Sequence, residues 1–295
     1  MKGFEVNLPN DEPFWIAPLG DIQWNGHEED IAFGDLQRHL TETLALPGHV
    51  YFIGMGDYID YAAPSSRSKI VASEPYDNTM RVLDDASDSL VEEVYTKILK
   101  PTTGKWAGLL SGHHLWKYQS GMLSDHKLAE RLQCSHMGMD MEGAIIQFNI
   151  PTQKGSRRHI DVWAHHGVGA GEESTLLLRM KKLAADYEEV DIFLHGHVTK
   201  MASTVIPKLR PVFAVREGIT DFRLVERRVA LVGTGGWQKA YGAGSTYVER
   251  KLMRPVSLGA PLIQVIPSFN RQYGQIAGKT TDNLRWQPRF KLILQ

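Results

Sequence analysis

Five short apolar runs in this chain each end on an aspartate or a histidine. Residues 14–19 lead into Gly20-Asp21, 50–55 into Gly56-Asp57, and 106–110 into Gly112-His113-His114. Residues 159–164 lead into His165-His166, and 190–194 into His195-Gly196-His197. Apolar runs of this length, bounded by glycine and polar residues, read as buried strands. Segments with helical spacing lie between them: 30–46 (through Ile31, Leu36, Leu40 and Leu44), 80–99, 125–132 and 175–187. Residues 61–78, rich in Ser, Pro and Ala, read as a loop. Alternation of this kind predicts an α/β fold. In open α/β sheets ligands bind outside the carboxyl ends of the strands. The predicted fold therefore brings every one of these Asp and His residues to one edge. After residue 200 the texture changes: 204–206, 212–215, 229–232, 262–266 and 290–294 are strand-like, with Gly and Pro between them. The expectation is a single domain over 1–295, with its motif-bearing part at 14–200 and a β-rich part at 201–295.

Composition narrows the chemistry. The chain has 295 residues, 12 His and one Cys, Cys134. One cysteine excludes an intramolecular disulfide framework and any multi-thiolate zinc or iron–sulfur site. A transition metal here would be held by imidazole and carboxylate. A net charge of −1 argues against a protein held on nucleic acid by bulk charge. No basic start followed by an apolar run opens the sequence, and no apolar stretch approaches about 18 residues. A cytoplasmic setting without membrane contact is expected, in a bacterium or a phage-infected host. Oligomeric state is not legible.

Asp and His at several strand ends suit a two-metal centre, in which a shared carboxylate bridges two cations about 3.5–4 Å apart and an activated hydroxide attacks phosphorus. Imidazole and carboxylate ligands suit Mn, Fe or Zn.

The motifs in their order resemble those of the calcineurin-like metallophosphoesterases. That family carries D-x-H, G-D-x-x-D, G-N-H-E/D, a His after a strand, and G-H-x-H. This chain has Asp21-Ile22-Gln23, Gly56-Asp57-Tyr58-Ile59-Asp60, Gly112-His113-His114-Leu115, His166-Gly167 and Gly196-His197-Val198-Thr199. The glycine-rich stretch from His166 to Gly171 is similar to a turn in a phage and bacterial branch of the family. The resemblance implies a four-layer α/β/β/α sandwich with mixed sheets. It implies a metal-dependent phosphoester hydrolase, nearer to a phosphodiesterase or nuclease than to a phosphomonoesterase, with Mn²⁺ as the expected cofactor and Fe, Zn or Mg²⁺ as alternatives. The expected partner is a phosphate-ester substrate such as a nucleotide or nucleic acid. By the same resemblance Asp57 bridges both metals, Asp21 binds the first, His166 and His197 bind the second, and His114 is the general acid or the phosphate-contacting His beside the leaving oxygen.

The departures are specific. Gln23 and Thr199 stand where the family has first-metal histidines. His113 replaces an Asn ligand, and Leu115 replaces an acid. The second site gains an imidazole and the first becomes an oxygen site. Two other readings follow: a fold retained as a binding or assembly module with an impaired centre, and a single-metal phosphatase.

Several residues stay open at this level. His166 is favoured over His165 as ligand, and His197 over His195. Asp60 reads as a cap or supporting group. His27 reads as an exposed loop residue, and His39, His49, His126, His136 and His159 as surface or helix-face residues. Trp237 and Tyr241 would stack on a base or pack the C-terminal sheet. Arg223, Arg227, Arg228, Arg250, Lys251 and Arg254 would hold phosphate or lie on solvated surface.

Overall fold

The computed structural model describes residues 2–62, 64–138, 142–151, 157–169, 173–216, 219–239, 257–267, 269–276, 279–286 and 288–294. In chain order its strands begin with β1 (Lys2–Asn7), β2 (Phe14–Leu19), β3 (His49–Gly54), β4 (Trp106–Leu109), β5 (Ala144–Pro151), β6 (Arg157–His165) and β7 (Ile192–His195). They continue with β8 (Met201–Arg216), β9 (Ile219–Thr234), β10 (Pro261–Ile266), β11 (Phe269–Ile276), β12 (Lys279–Trp286) and β13 (Arg289–Leu294). The helices are α1 (Phe33–Leu44), α2 (Pro64–Ala72), α3 (Asp77–Val94), α4 (Ser124–Arg131) and α5 (Glu173–Asp186).

Two mixed sheets form. One has the order β1-β5-β6-β7-β9-β8, the other β13-β10-β2-β3-β4, and β11 pairs with β12 in a separate hairpin. β2, β3 and β4 run parallel, as do β6, β7 and β9. Side chains alternate across a strand, and the strand β2 shows what this does. Phe14 and Ile16 enter a core between the sheets, against Ile146 and Phe148 of β5, Val162 of β6 and Leu194 of β7. Trp15, Ala17 and Leu19 face the other way, onto Leu36 and Leu40 of α1, Val91 and Val94 of α3, and Leu128 of α4. On the far side of the sheet that holds β6, β7 and β9, Trp163, Phe193 and Leu231 pack on Leu176, Met180 and Ala184 of α5. The layers therefore run helix, sheet, sheet, helix, as expected of an α/β/β/α sandwich. β2 is buried along its whole length, which is why it reads as a continuous apolar run.

Two expectations are corrected, and one further strand carries no signal in the sequence. Residues 61–78 contain a helix, α2. Its Ser-rich sequence has no apolar face to give a period. The strand-like segments 204–206 and 212–215 are parts of one strand, β8, paired with β9 along its full length. The N-terminal β1 was not visible as a strand, because its pairing partner β5 lies far along the sequence. Among the described residues no helix is long and apolar enough to cross a membrane.

Candidate metal centre

Parallel strands end on the same side, so β2, β3 and β4 of one sheet and β6 and β7 of the other deliver their following residues to a common edge. The backbone there is unusual. Asp21, Gln23, Asp57, His197 and Thr199 all have positive φ, between 49° and 65°. This region is sparsely populated by non-glycine residues and is costly for a β-branched Thr. The bends turn each chain sharply as it leaves its strand. They are held by cross-strand bonds: Asp21 N–H to Gly56 O at 2.9 Å, Gln23 N–H to Asp57 O at 2.9 Å, and Trp24 N–H to Tyr58 O at 3.0 Å. Close approach of the turns requires Gly112, where a Cβ would lie 2.0 Å from Asp57 Oδ1.

Asp57, His113, His166 and His197 converge there, each offering a ligand atom within 4.8 Å of the others. The three imidazoles are crowded. Ring centroids are 4.3 Å apart for His113 and His197, 4.8 Å for His113 and His166, and 5.2 Å for His166 and His197. His166 is fully buried, and its Nδ1 donates to Met55 O at 2.6 Å. That bond leaves Nε2 to face Asp57 Oδ2 at 3.3 Å. His114 N–H donates to Asp57 Oδ1 at 2.8 Å, and His197 N–H to Asp21 Oδ2 at 3.0 Å. Among the described residues of this edge, four buried atoms remain without a hydrogen-bond partner: Asp21 Oδ1, Asp57 Oδ2, His113 Nδ1 and His166 Nε2. Buried acceptors left facing one another are unfavourable unless a proton or a metal ion lies between them. A carbonyl-oriented imidazole beside carboxylates is the usual metal-ligand arrangement. The donor set thus fits a divalent transition ion.

The electrostatics agree with this. Burial alone would raise the Asp57 carboxyl. The imidazole of His166, 3.3 Å away, with the charge of His114, overrides it and holds the group below the usual carboxylate range. Burial would lower His166, yet Asp57 lifts it above its ordinary value. Burial pushes Asp21 up to about 7, with His166 pulling it down and Asp57 raising it. His197 is pushed down to about 4 by burial and by its neighbours His113 and His166. His113 is lowered by burial and His166. These two imidazoles are therefore neutral at pH 7, the form that binds metal.

His114 stands beside the group. Its Nδ1 is 2.8 Å from Asp60 Oδ1, and about a fifth of its side chain is exposed. Above all, that bond to Asp60 raises its affinity for a proton, against the opposing effect of burial. Asp60 is thus the partner of His114, in the supporting position expected of it.

The other residues singled out in the sequence fall elsewhere. His165 leaves β6 on the opposite face from His166. Its ring stacks on Trp163 at 5.5 Å, and its Nδ1 accepts the Gly167 N–H at 2.7 Å. His195 is buried, contacts Gly196 O through Nδ1 at 2.9 Å, and is pushed down to about 4 by burial. Both lie outside the four-residue group. Alternation separates His165 from His166, and His195 pairs beside His165 on β7; His197, two residues further on, reaches the group through the positive-φ bend that follows β7. Thr199 packs near Asp21 around Gly236, and Gln23 is half-buried.

Trp237 is buried at 1% exposure, its N–H bonds Asp21 O, and it lies on the ring of His39. It packs rather than offering a stacking surface, and His39 is buried instead of lying on the surface. Arg227 is engaged by Asp191 at 2.9 Å and by the carbonyls of Glu188 and Glu189, and Arg228 by Glu226. Tyr241, Arg250, Lys251 and Arg254 lie outside the described residues, as does the Arg223 side chain.

Two residues at the centre carried no sequence signal of their own. Asp125 of α4 is buried, and its carboxyl faces the Gly112 N–H at 3.4 Å and the Ser124 hydroxyl at 3.3 Å. Arg67 of α2 donates from Nη2 to the carbonyl of His113. Both depend on helices brought against the turn by packing.

No protein-family model matches the chain, and no curated protein matches it. Among solved structures, the chain is similar to the crystal structure of the calcineurin-like phosphoesterase YfkN from Bacillus subtilis. The identity is 10% and the TM-score 0.33, over 95% of this chain and 90% of that one.

Proposed function

We propose that this chain is a metal-dependent phosphoester hydrolase, acting on phosphodiesters or nucleotides and using Mn²⁺. The observation that carries the reading is the meeting of Asp57, His113, His166 and His197, with their unpartnered buried atoms turned together. A divalent cation held by them would polarise a phosphoryl oxygen and lower the pKa of water at the site.

The chain's own residues do the rest. Asp57 is fixed through Oδ1 by the His114 N–H and keeps Oδ2 for the centre. The Met55 carbonyl sets the His166 tautomer. His114 holds a proton, anchored by Asp60 on one ring nitrogen. Its other nitrogen delivers that proton to the leaving oxygen, as a general acid. Asp21, with the amide oxygen of Gln23, supplies oxygen donors for a second cation. That set suits Mn²⁺ or Mg²⁺ better than a softer ion.

The test is metal analysis of protein purified without chelator, followed by hydrolysis of bis-p-nitrophenyl phosphate with added Mn²⁺. At least one transition ion per chain is expected. Asp57→Ala should abolish turnover, and His114→Ala should lower it about 100-fold, the scale of lost general-acid catalysis. A protein that takes up no metal and is inactive with every divalent ion would refute the proposal.

A second reading rests on Gln23 and Thr199, neither of which brings an imidazole. In it the Asp57 group binds one metal and works alone. The double substitution Gln23→His with Thr199→His would then add a second bound ion and raise activity sharply.

A further inference from the structure

Arg67 is placed where a negatively charged ligand of the centre would need a positive partner. It sits on α2, the helix between the Asp57–Asp60 turn and α3. Its Nη2 donates to the His113 carbonyl. His113 offers its ring to the four-residue group, and the next residue donates its N–H to Asp57. The guanidinium is thus anchored on the backbone of a turn that supplies both a ligand and the proton-bearing His114.

Its surroundings give that charge no direct ion pair among the described residues. Asp57, Asp60 and Asp125 all act on it electrostatically. Each of the three is already engaged by other donors: Asp57 by the His114 N–H, Asp60 by the His114 ring, and Asp125 by the Gly112 N–H and the Ser124 hydroxyl. Among the described residues, none of the ion pairs within 4.0 Å includes Arg67. Arg67 is half-buried, so part of its hydration is lost while the three carboxylates act only at a distance. A guanidinium carries five N–H donors in a planar fork matched to phosphate oxygens. One donor is spent on a neutral carbonyl, and the others are available.

We propose that Arg67 binds a non-bridging oxygen of the substrate's phosphoryl group, as the protein's own cationic clamp beside the metal ligands. This rests on the phosphoesterase reading and names the residue that would hold the substrate's charge. Anchoring on His113 has a further consequence. The clamp and the ligand turn move as a unit, so the phosphoryl group is positioned relative to His114 by a single rigid piece of backbone.

The experiment titrates inorganic phosphate into Mn²⁺-loaded wild type, Arg67→Ala and Arg67→Lys, and measures Mn²⁺ stoichiometry and bis-p-nitrophenyl phosphate kinetics on the same samples. Arg67→Ala should keep its metal and bind phosphate roughly 10- to 100-fold more weakly, the worth of a charge-assisted bond. Its KM should rise more than its kcat falls. Arg67→Lys should recover part of the affinity, since it keeps the charge and loses the fork. Unchanged phosphate affinity in Arg67→Ala with metal intact would overturn the clamp, while leaving the hydrolase reading in place if the wild type turns over. Loss of metal together with phosphate would make Arg67 a prop of the His113 turn, and would overturn the clamp too. A wild type that takes up no divalent ion would sink the hydrolase reading and the clamp with it.

Discussion

Asp125 is a carboxyl in a place that disfavours a charge. It is buried behind the Gly112–His114 turn, and burial, with the charge of Asp57, pushes it up to about 7. An unfolded Asp titrates near its ordinary value of about 3.9. Between about pH 4 and 7 the folded chain therefore retains a proton that the unfolded chain has released. Stability contributed at this site falls as pH rises through that window, and the slope vanishes below and above it. Asp125→Asn lacks the titration. On chelator-treated protein, the variant should gain stability relative to wild type between pH 4.5 and 7, by on the order of 3 kcal/mol, readable in urea unfolding at the two pH values. A difference that does not change with pH would show the carboxyl titrating normally. Asp125 was invisible in the sequence beyond a place in a helix, because its role comes from a main-chain N–H on another element. Asp21, Asp57 and the histidines were visible, because each follows an apolar run directly.

At the scale of elements, the exits of the strands carry the site. Their positive-φ residues are strained locally and are retained through bonds to neighbouring turns. The loop after β9 is one such support. Trp237 N–H donates to Asp21 O, Trp237 O accepts from Ala32, and the indole is buried against α1 through His39. Trp237→Ala should cost about 3–5 kcal/mol, the range for removing a large buried aromatic. It should also weaken binding of the Mn²⁺ at Asp21 and Gln23 more than of that at the Asp57 group in calorimetric titration, because the loop whose main-chain N–H bonds Asp21 O loses its packing on α1. Equal weakening of both would place the brace elsewhere. This loop was read in the sequence as either stacking surface or packing, since an aromatic after a glycine pair is compatible with both. The helix α2 was read as a loop for a related reason. Its partner is the His113 backbone, reached by one Arg, rather than an apolar face that would leave a period.

Across the whole molecule, the two sheets are joined by an apolar layer and the metal ligands bridge the same seam. Asp57 and His113 follow strands of one sheet, and His166 and His197 follow strands of the other. A cation held by all four would tie the sheets together at that edge. Binding to the native state alone raises stability by mass action, by about 2.7 kcal/mol at 100 times the dissociation constant. Mn²⁺ should therefore raise the thermal midpoint of wild type, and EDTA should reverse it. The shift should disappear in Asp57→Ala. A wild type indifferent to Mn²⁺ would mean the four side chains do not close on it.

The sequence alone determined the layers and the edge. Apolar runs with glycine and acid or imidazole at their ends specify buried parallel strands and what lies beyond them, because both signals are local. The tertiary structure decided which imidazole of each pair belongs to the centre. His166 and His197 point into the seam while His165 and His195 pack away from it: His166 faces the side opposite its neighbour His165, and the positive-φ bend after β7 turns His197 inward. Packing of one sheet on the other, which brings His166 to Asp57 across more than a hundred residues, then sets which side is inside. It also brought Asp125 and Arg67 to the turn, through helix packing that no short motif encodes.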